Sequence, residues 1–142
     1  MKYLLDTNVL SELLKFAPAK GVVEWVRGNQ DLCGMSALTL AEMAKGVALL
    51  PDGKRRNYLA KELLFLQEDY ADRILPFDES AAWEWARYMV EVATAGYSPP
   101  LLDSLLAATA KAMDLIVVTR NVSDFPLIRL INPFDQSSKS FP

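Results

Sequence analysis

Short apolar runs alternate with longer stretches of helical periodicity along this chain, and that alternation restricts the fold more than any other feature. Lys2-Tyr3-Leu4-Leu5 is strand-like and ends in Asp6-Thr7-Asn8, after which Val9, Leu10, Leu13 and Leu14 recur at helical spacing. Pro18 suits the first turn of a second helix, whose stripe of Val22, Val23 and Val26 stops near Gly28-Asn29. A buried strand follows at Leu32 to Met35, then a helix through Leu38, Ala41, Val47 and Ala48 closed by Pro51-Asp52-Gly53. Tyr58, Leu59, Leu63, Leu64 and Leu66 line the next helix. Arg73 to Phe77 reads as a strand that is edge-placed or ends at Pro76, with Asp78 or Ser80 capping a helix to about Gly96 whose core face is Trp83, Ala86, Met89, Val90 and Ala93. Pro99-Pro100 opens a helix through Met113. Leu115 to Val118 is β-branched enough for a central parallel strand, and Ile128 to Ile131 makes a last short one. Strands separated by helices imply crossovers and a parallel sheet covered on both faces, an α/β fold in three α/β/α layers.

The sequence has 142 residues, 51% of them hydrophobic, enough for one ordinary core. One domain over residues 1–134 and a polar tail over 135–142 are expected. No apolar run reaches the roughly 18 to 20 residues that span a bilayer, which points to a cytoplasmic protein without membrane contact. The lone Cys33 excludes an internal disulfide, and with no histidine in the chain it excludes a structural zinc site. Paired-histidine nuclease chemistry and Ser-His-Asp hydrolysis are excluded for the same reason, so hydrolysis would run on carboxylates or metal. Fifteen basic against 18 acidic residues give a net charge of −3, which does not fit broad coating of nucleic acid.

Four acids stand out, each with an ordinary structural explanation beside the functional one. Asp6 follows the first strand, where open α/β sheets place their ligand crevice, yet an aspartate there also caps the next helix. Glu42 completes a capping box with Thr39, but it is the only charge between Asp31 and Lys45, on a helix turn expected to be largely buried. Asp103 lies in the first turns of an apolar helix, where it also suits the helix dipole. Asp124 comes just past the strand ending at Val118, and an Asx-type turn before Pro126 would explain it equally well. If the strands at 3–5 and 115–118 are neighbours, several carboxylates converge, and such a cluster is more plausible as a divalent-cation site. Oxygen-only ligands suit magnesium or manganese better than zinc.

The chain resembles PIN-domain proteins through about Phe134, and within them the VapC-type toxins of bacterial toxin–antitoxin pairs, particularly the FitB-like branch. The matching motifs are Leu4-Leu5-Asp6-Thr7-Asn8-Val9-Leu10-Ser11-Glu12, Ser36-Ala37-Leu38-Thr39-Leu40-Ala41-Glu42-Met43, Asp103-Ser104-Leu105-Leu106-Ala107-Ala108 and Thr119-Arg120-Asn121, closed by Asn132-Pro133-Phe134. The resemblance implies Asp6, Glu42 and Asp103 as catalytic, metal-binding carboxylates. The fourth ligand is a choice between Asp124 and Asn121, with Asp124 preferred and Asn121 in support. Thr7 or Ser36 would assist through a hydroxyl, Asn8 would brace the turn, and Arg120 is the better placed of the basic residues to face RNA. The resemblance further implies Mg2+ (or Mn2+), phosphodiester hydrolysis of RNA, a homodimer and a cognate antitoxin. Trp25, Trp83 and Trp85 are assigned to packing, and Lys54-Arg55-Arg56 to a solvated loop. The competing expectations are a phosphatase of the haloacid dehalogenase type, which also starts from an aspartate after strand 1, and a PIN scaffold that only binds.

Overall fold

The structure is a computed structural model that describes residues 1–135. Of the expected polar tail, all but Asp135 lies outside the described residues. Five strands, β1 (Tyr3–Leu5), β2 (Cys33–Ser36), β3 (Ile74–Leu75), β4 (Ile116–Val118) and β5 (Leu130–Ile131), form one parallel sheet in the order β3-β2-β1-β4-β5. β1 therefore pairs with both β2 and β4, with Leu5 opposite Met35 on one side and Val118 on the other. Among the described residues, six α-helices lie in the connections from β1 to β4: α1 (Thr7–Leu13), α2 (Lys20–Gly28), α3 (Ala37–Ala48), α4 (Lys54–Asp69), α5 (Glu79–Thr94) and α6 (Leu101–Ala112).

The period-two geometry of β1 divides the core. Tyr3 and Leu5 point to one face and join Met35 of β2, Val9, Leu10, Val22, Val26, Met43, Leu63 and Leu66 from α1 to α4, and Tyr70 just past α4. Leu4 points to the other face and joins Val117, Tyr88, Val92, Leu106, Ala107 and Ala110, so α5 and α6 cover that side. This is the expected three-layer arrangement. The order of connections matters for function. The chain builds β1, β2 and β3 outward in one direction, then returns to lay β4 on the opposite side of β1. The carboxyl ends of β1 and β4 thus flank the point where the winding reverses, the usual place for a ligand crevice in such sheets.

Several local expectations are corrected. Pro18 precedes α2, whose N-cap is Ala19, and stands outside its first turn. α3 is capped by Ser36, the last residue of β2, whose hydroxyl accepts a 3.0 Å hydrogen bond from the Leu38 N–H; Thr39 is buried inside the helix and forms no capping box. On α4 the core face is Leu59, Leu63 and Leu66, and Tyr58 and Leu64 are exposed. β3 is an edge strand that stops before Pro76, and Asp78 rather than Ser80 caps α5 through the Ala81 N–H. The buried stripe of α5 is Ala81, Tyr88 and Val92, leaving Trp83, Ala86, Val90 and Ala93 exposed. Trp83 is therefore not a packing residue. Trp25 is one, meeting Tyr3 edge-on at 5.0 Å between ring centres, and Trp85 ties α5 to α6 by donating to Ser104 Oγ.

Candidate active site at the reversal point of the sheet

Asp6 leaves β1 with its N–H bonded to the Val118 carbonyl of β4, which carries its side chain to the carboxyl edge of the sheet. It caps α1, so the structural expectation for this residue also holds: Oδ1 accepts from the Thr7 N–H at 2.7 Å. Oδ2 accepts from Thr119 Oγ1 at 2.8 Å and from Asn8 Nδ2 at 3.0 Å. The residue is only 5% exposed. Burial raises its pKa, the bonds from Thr119, Thr7 and Asn8 oppose that rise, and the charge of Glu42 adds to it.

Glu42 and Asp103 arrive from opposite faces of the sheet. Ser36 starts α3 at the end of β2, and Glu42 lies on that helix. It is exposed, contrary to the expectation of a buried turn, and with Thr39 inside the helix its carboxylate is released from capping. Asp103 occupies the first turn of α6 and is half-buried. Asp6, Thr7, Glu42 and Asp103 line one small pocket with Leu38, Thr39, Leu102 and Leu106. Burial pushes the Asp103 carboxyl up to about 7, and repulsion from Asp6, then Asp124, then Glu42 contributes to the rise. Asp124 sits in a 3-10 turn (Val122–Asp124) beyond β4, anchored by the fully buried Phe125. Asn121 is exposed, with its N–H donating to Thr119 Oγ1. Of the two candidates for the fourth acid position, Asp124 is the one whose charge Asp103 feels. As the side chains stand, no three acidic groups among the described residues already form an ion-binding set.

The residues around the acids divide into braces and free groups. Asn8 braces the turn as expected: its amide donates to Asp6 and Thr119, and its Oδ1 accepts from the Arg120 N–H. Its position is where a haloacid dehalogenase would place an acid, and it is fully engaged in holding the backbone. Ser36 spends its hydroxyl oxygen on α3. The Arg120 guanidinium is exposed and lies 3.7 Å from the centre of the Phe134 ring. Lys54, Arg55 and Arg56 form the first turn of α4 rather than the expected loop; Arg56 pairs with Asp52, whereas Arg55 lines a groove that also includes Thr7 and Glu42.

A family model for the PIN domain matches residues 3–127, nearly the whole described chain. The chain belongs to the PIN domain family. Among its relatives is the VapC ribonuclease Y4jK of Sinorhizobium fredii, 38% identical over 139 residues, covering 93% of this chain and 97% of that protein. Toxin FitB of Neisseria gonorrhoeae is 42% identical over 125 residues, covering 86% of this chain and 89% of the relative. The crystal structure of FitAcB from the same organism superposes on this PIN domain with a TM-score of 0.85 at 39% identity, covering 93% of this chain and 98% of the other.

Two residues of this PIN domain escape a reading of sequence alone. Thr119 is completely buried and hydrogen-bonds directly to Asp6. Its signal is positional, since it follows the last residue of β4 as Asp6 follows the last residue of β1. Glu12 is buried in α1, accepts from the Ala19 N–H and pairs with Lys15, which holds its carboxyl below the usual range; the Arg120 charge adds to that effect. It fastens the link between α1 and α2.

Proposed function

We propose that this PIN domain, over residues 1–134, is a magnesium-dependent endoribonuclease and the toxin component of a toxin–antitoxin pair. The observation that carries the reading is the convergence of Asp6, Glu42 and Asp103 on one pocket at the carboxyl edge of the sheet. The donor set fits a hard cation: carboxylates and hydroxyls, no histidine, and a single cysteine buried in the core. Asp6, Glu42, Asp103 and Asp124 would hold the ion, with Thr7 at the pocket wall. Bound there, magnesium (or manganese) supplies Lewis-acid stabilisation of the phosphate and a water acidic enough to attack at neutral pH. The chain itself contributes placement. The end of β1 places Asp6, α3 brings Glu42 from one face of the sheet, α6 brings Asp103 from the other, and the Asn8 and Thr119 hydrogen bonds hold Asp6 in position. Arg120, one residue beyond Thr119 and with its guanidinium exposed over the Phe134 ring, would bind an RNA phosphate.

The partner readings have their own support. The solved neighbours include FitAB bound to a DNA fragment, at 38% identity, and a DNA-bound VapBC from Salmonella typhimurium, at 26%. An antitoxin for this chain would occupy the groove of about 310 Å3 between α1, α2 and α4, whose lining includes Leu13, Val26, Phe65 and Leu66. The exposed apolar residues Trp83 and Val90 on α5 and Leu101 and Leu102 on α6 support a homodimer. No helix among the described residues is long and apolar enough to cross a membrane, and we place the protein in the cytoplasm with its RNA substrate.

Incubation of the purified chain with single-stranded or hairpin RNA tests the reading. Cleavage that needs Mg2+ or Mn2+, stops with EDTA and disappears in Asp6→Asn and Asp103→Asn is expected. Metal-dependent phosphate release through a phosphoryl-Asp6 adduct would instead identify a phosphatase, and RNA binding without cleavage would identify a scaffold.

A further inference from the structure

We propose that Thr119 is a positioning residue of the acidic site, acting through Asp6. The inference rests on the nuclease reading above. A threonine hydroxyl has one proton to donate and two lone pairs to accept with. Here both lone pairs face N–H donors: Asn8 Nδ2 at 3.1 Å and the Asn121 backbone N at 3.0 Å. The Asn8 amide cannot be turned round without loss, because its Oδ1 accepts from the Arg120 backbone N–H at 3.0 Å. The Thr119 proton therefore has one acceptor left, Asp6 Oδ2 at 2.8 Å. Since Thr119 is completely buried, no water competes for it.

The consequence falls on Asp6. An ionised carboxylate offers about four acceptor positions. Thr119 and Asn8 take both on Oδ2, and the Thr7 N–H takes one on Oδ1. One remains, on Oδ1, so Asp6 presents a single oxygen to a cation in a fixed direction. The same two side chains hold the backbone N–H groups of Arg120 and Asn121, the start of the segment that carries Asp124. Thr119 thereby fixes the aspartate at the end of β1 relative to the one beyond β4, two groups far apart in sequence whose spacing decides whether one ion can be shared.

Manganese binding to the purified full chain, followed by the electron paramagnetic resonance signal of the free ion, gives a readout independent of turnover. Thr119→Val keeps the shape and removes the hydroxyl; it is expected to weaken Mn2+ binding by about 10- to 100-fold and to lower kcat with little change in the KM for RNA, while Thr119→Ser restores both to within about 3-fold. A folded Thr119→Val with wild-type Mn2+ affinity would overturn the proposal. If circular dichroism shows that Thr119→Val does not fold, Asn8→Ala, which removes the other donor to the same oxygen, carries the test with the same two outcomes. Wild-type protein that binds no Mn2+ overturns the nuclease reading and this inference together, a result distinct from equal binding by wild type and variant.

Discussion

Replacing Asp103 with Asn should make the metal-free protein more stable while removing its activity. In the folded chain Asp103 keeps its proton until about pH 7, because burial and the charges of Asp6, Asp124 and Glu42 disfavour its ionised form, whereas an ordinary aspartate releases it near 3.8. Between those values the folded state holds a proton that the unfolded state has lost, so stability contributed by this group is full below pH 3.8, falls as pH rises and is gone above about pH 7. At about 1.4 kcal/mol per pKa unit the full displacement corresponds to about 4 kcal/mol. Asp103 is only half-buried, and solvent screening reduces the expected effect to about 1–2 kcal/mol. Asparagine carries no charge to repel. Urea unfolding in EDTA, read by tryptophan fluorescence, should therefore show Asp103→Asn equal to wild type at pH 4 and about 1–2 kcal/mol more stable at pH 8. Added Mg2+ should narrow the gap by binding wild type more tightly. A gap that is absent at pH 8, or the same at both pH values, would refute the idea that crowded carboxylates destabilise the empty site.

Further outcomes follow from single contacts. Ser36→Ala removes the cap of α3 and is expected to cost about 1 kcal/mol in urea unfolding, with RNA cleavage retained at low temperature. Tyr88→Phe leaves the Pro126 carbonyl without its 2.9 Å hydrogen bond behind the Asp124 loop; a loss of about 1 kcal/mol in thermal unfolding is expected. Arg120→Ala is expected to raise the KM for RNA several-fold with kcat nearly unchanged, measured by initial rates on a short labelled RNA at fixed Mg2+.

The layered fold was legible because strand and helix periods differ and because the runs at 3–5 and 116–118 are apolar on both faces, as central parallel strands must be. The face of α5 was not. That helix carries apolar groups on two sides, Trp83 and Val90 on one, Tyr88 and Val92 on the other, and only its contact with α6 decides which is buried. The start of α3 is hidden in the sequence because β2 runs directly into it, so that a strand residue, Ser36, serves as the cap and Thr39 passes inside. The acids at 6, 42 and 103 were visible as residue types in apolar surroundings, and the structure brings all three to one pocket. Thr119 was invisible in its role because the hydrogen bond to Asp6 joins positions 113 residues apart, and exists only because β1 pairs with β4. Glu12 was hidden by lying in an amphipathic turn where a charged residue is ordinarily solvated.

The central claim is that the four carboxylates form one cation site. Crystals grown with Mn2+ and measured for anomalous scattering test it most directly. A peak is expected about 2.0–2.6 Å from Asp6 Oδ1 and from a carboxylate oxygen of Asp103, with Glu42 and Asp124 completing the shell directly or through water. A peak coordinated elsewhere, or none at saturating Mn2+, would contradict it.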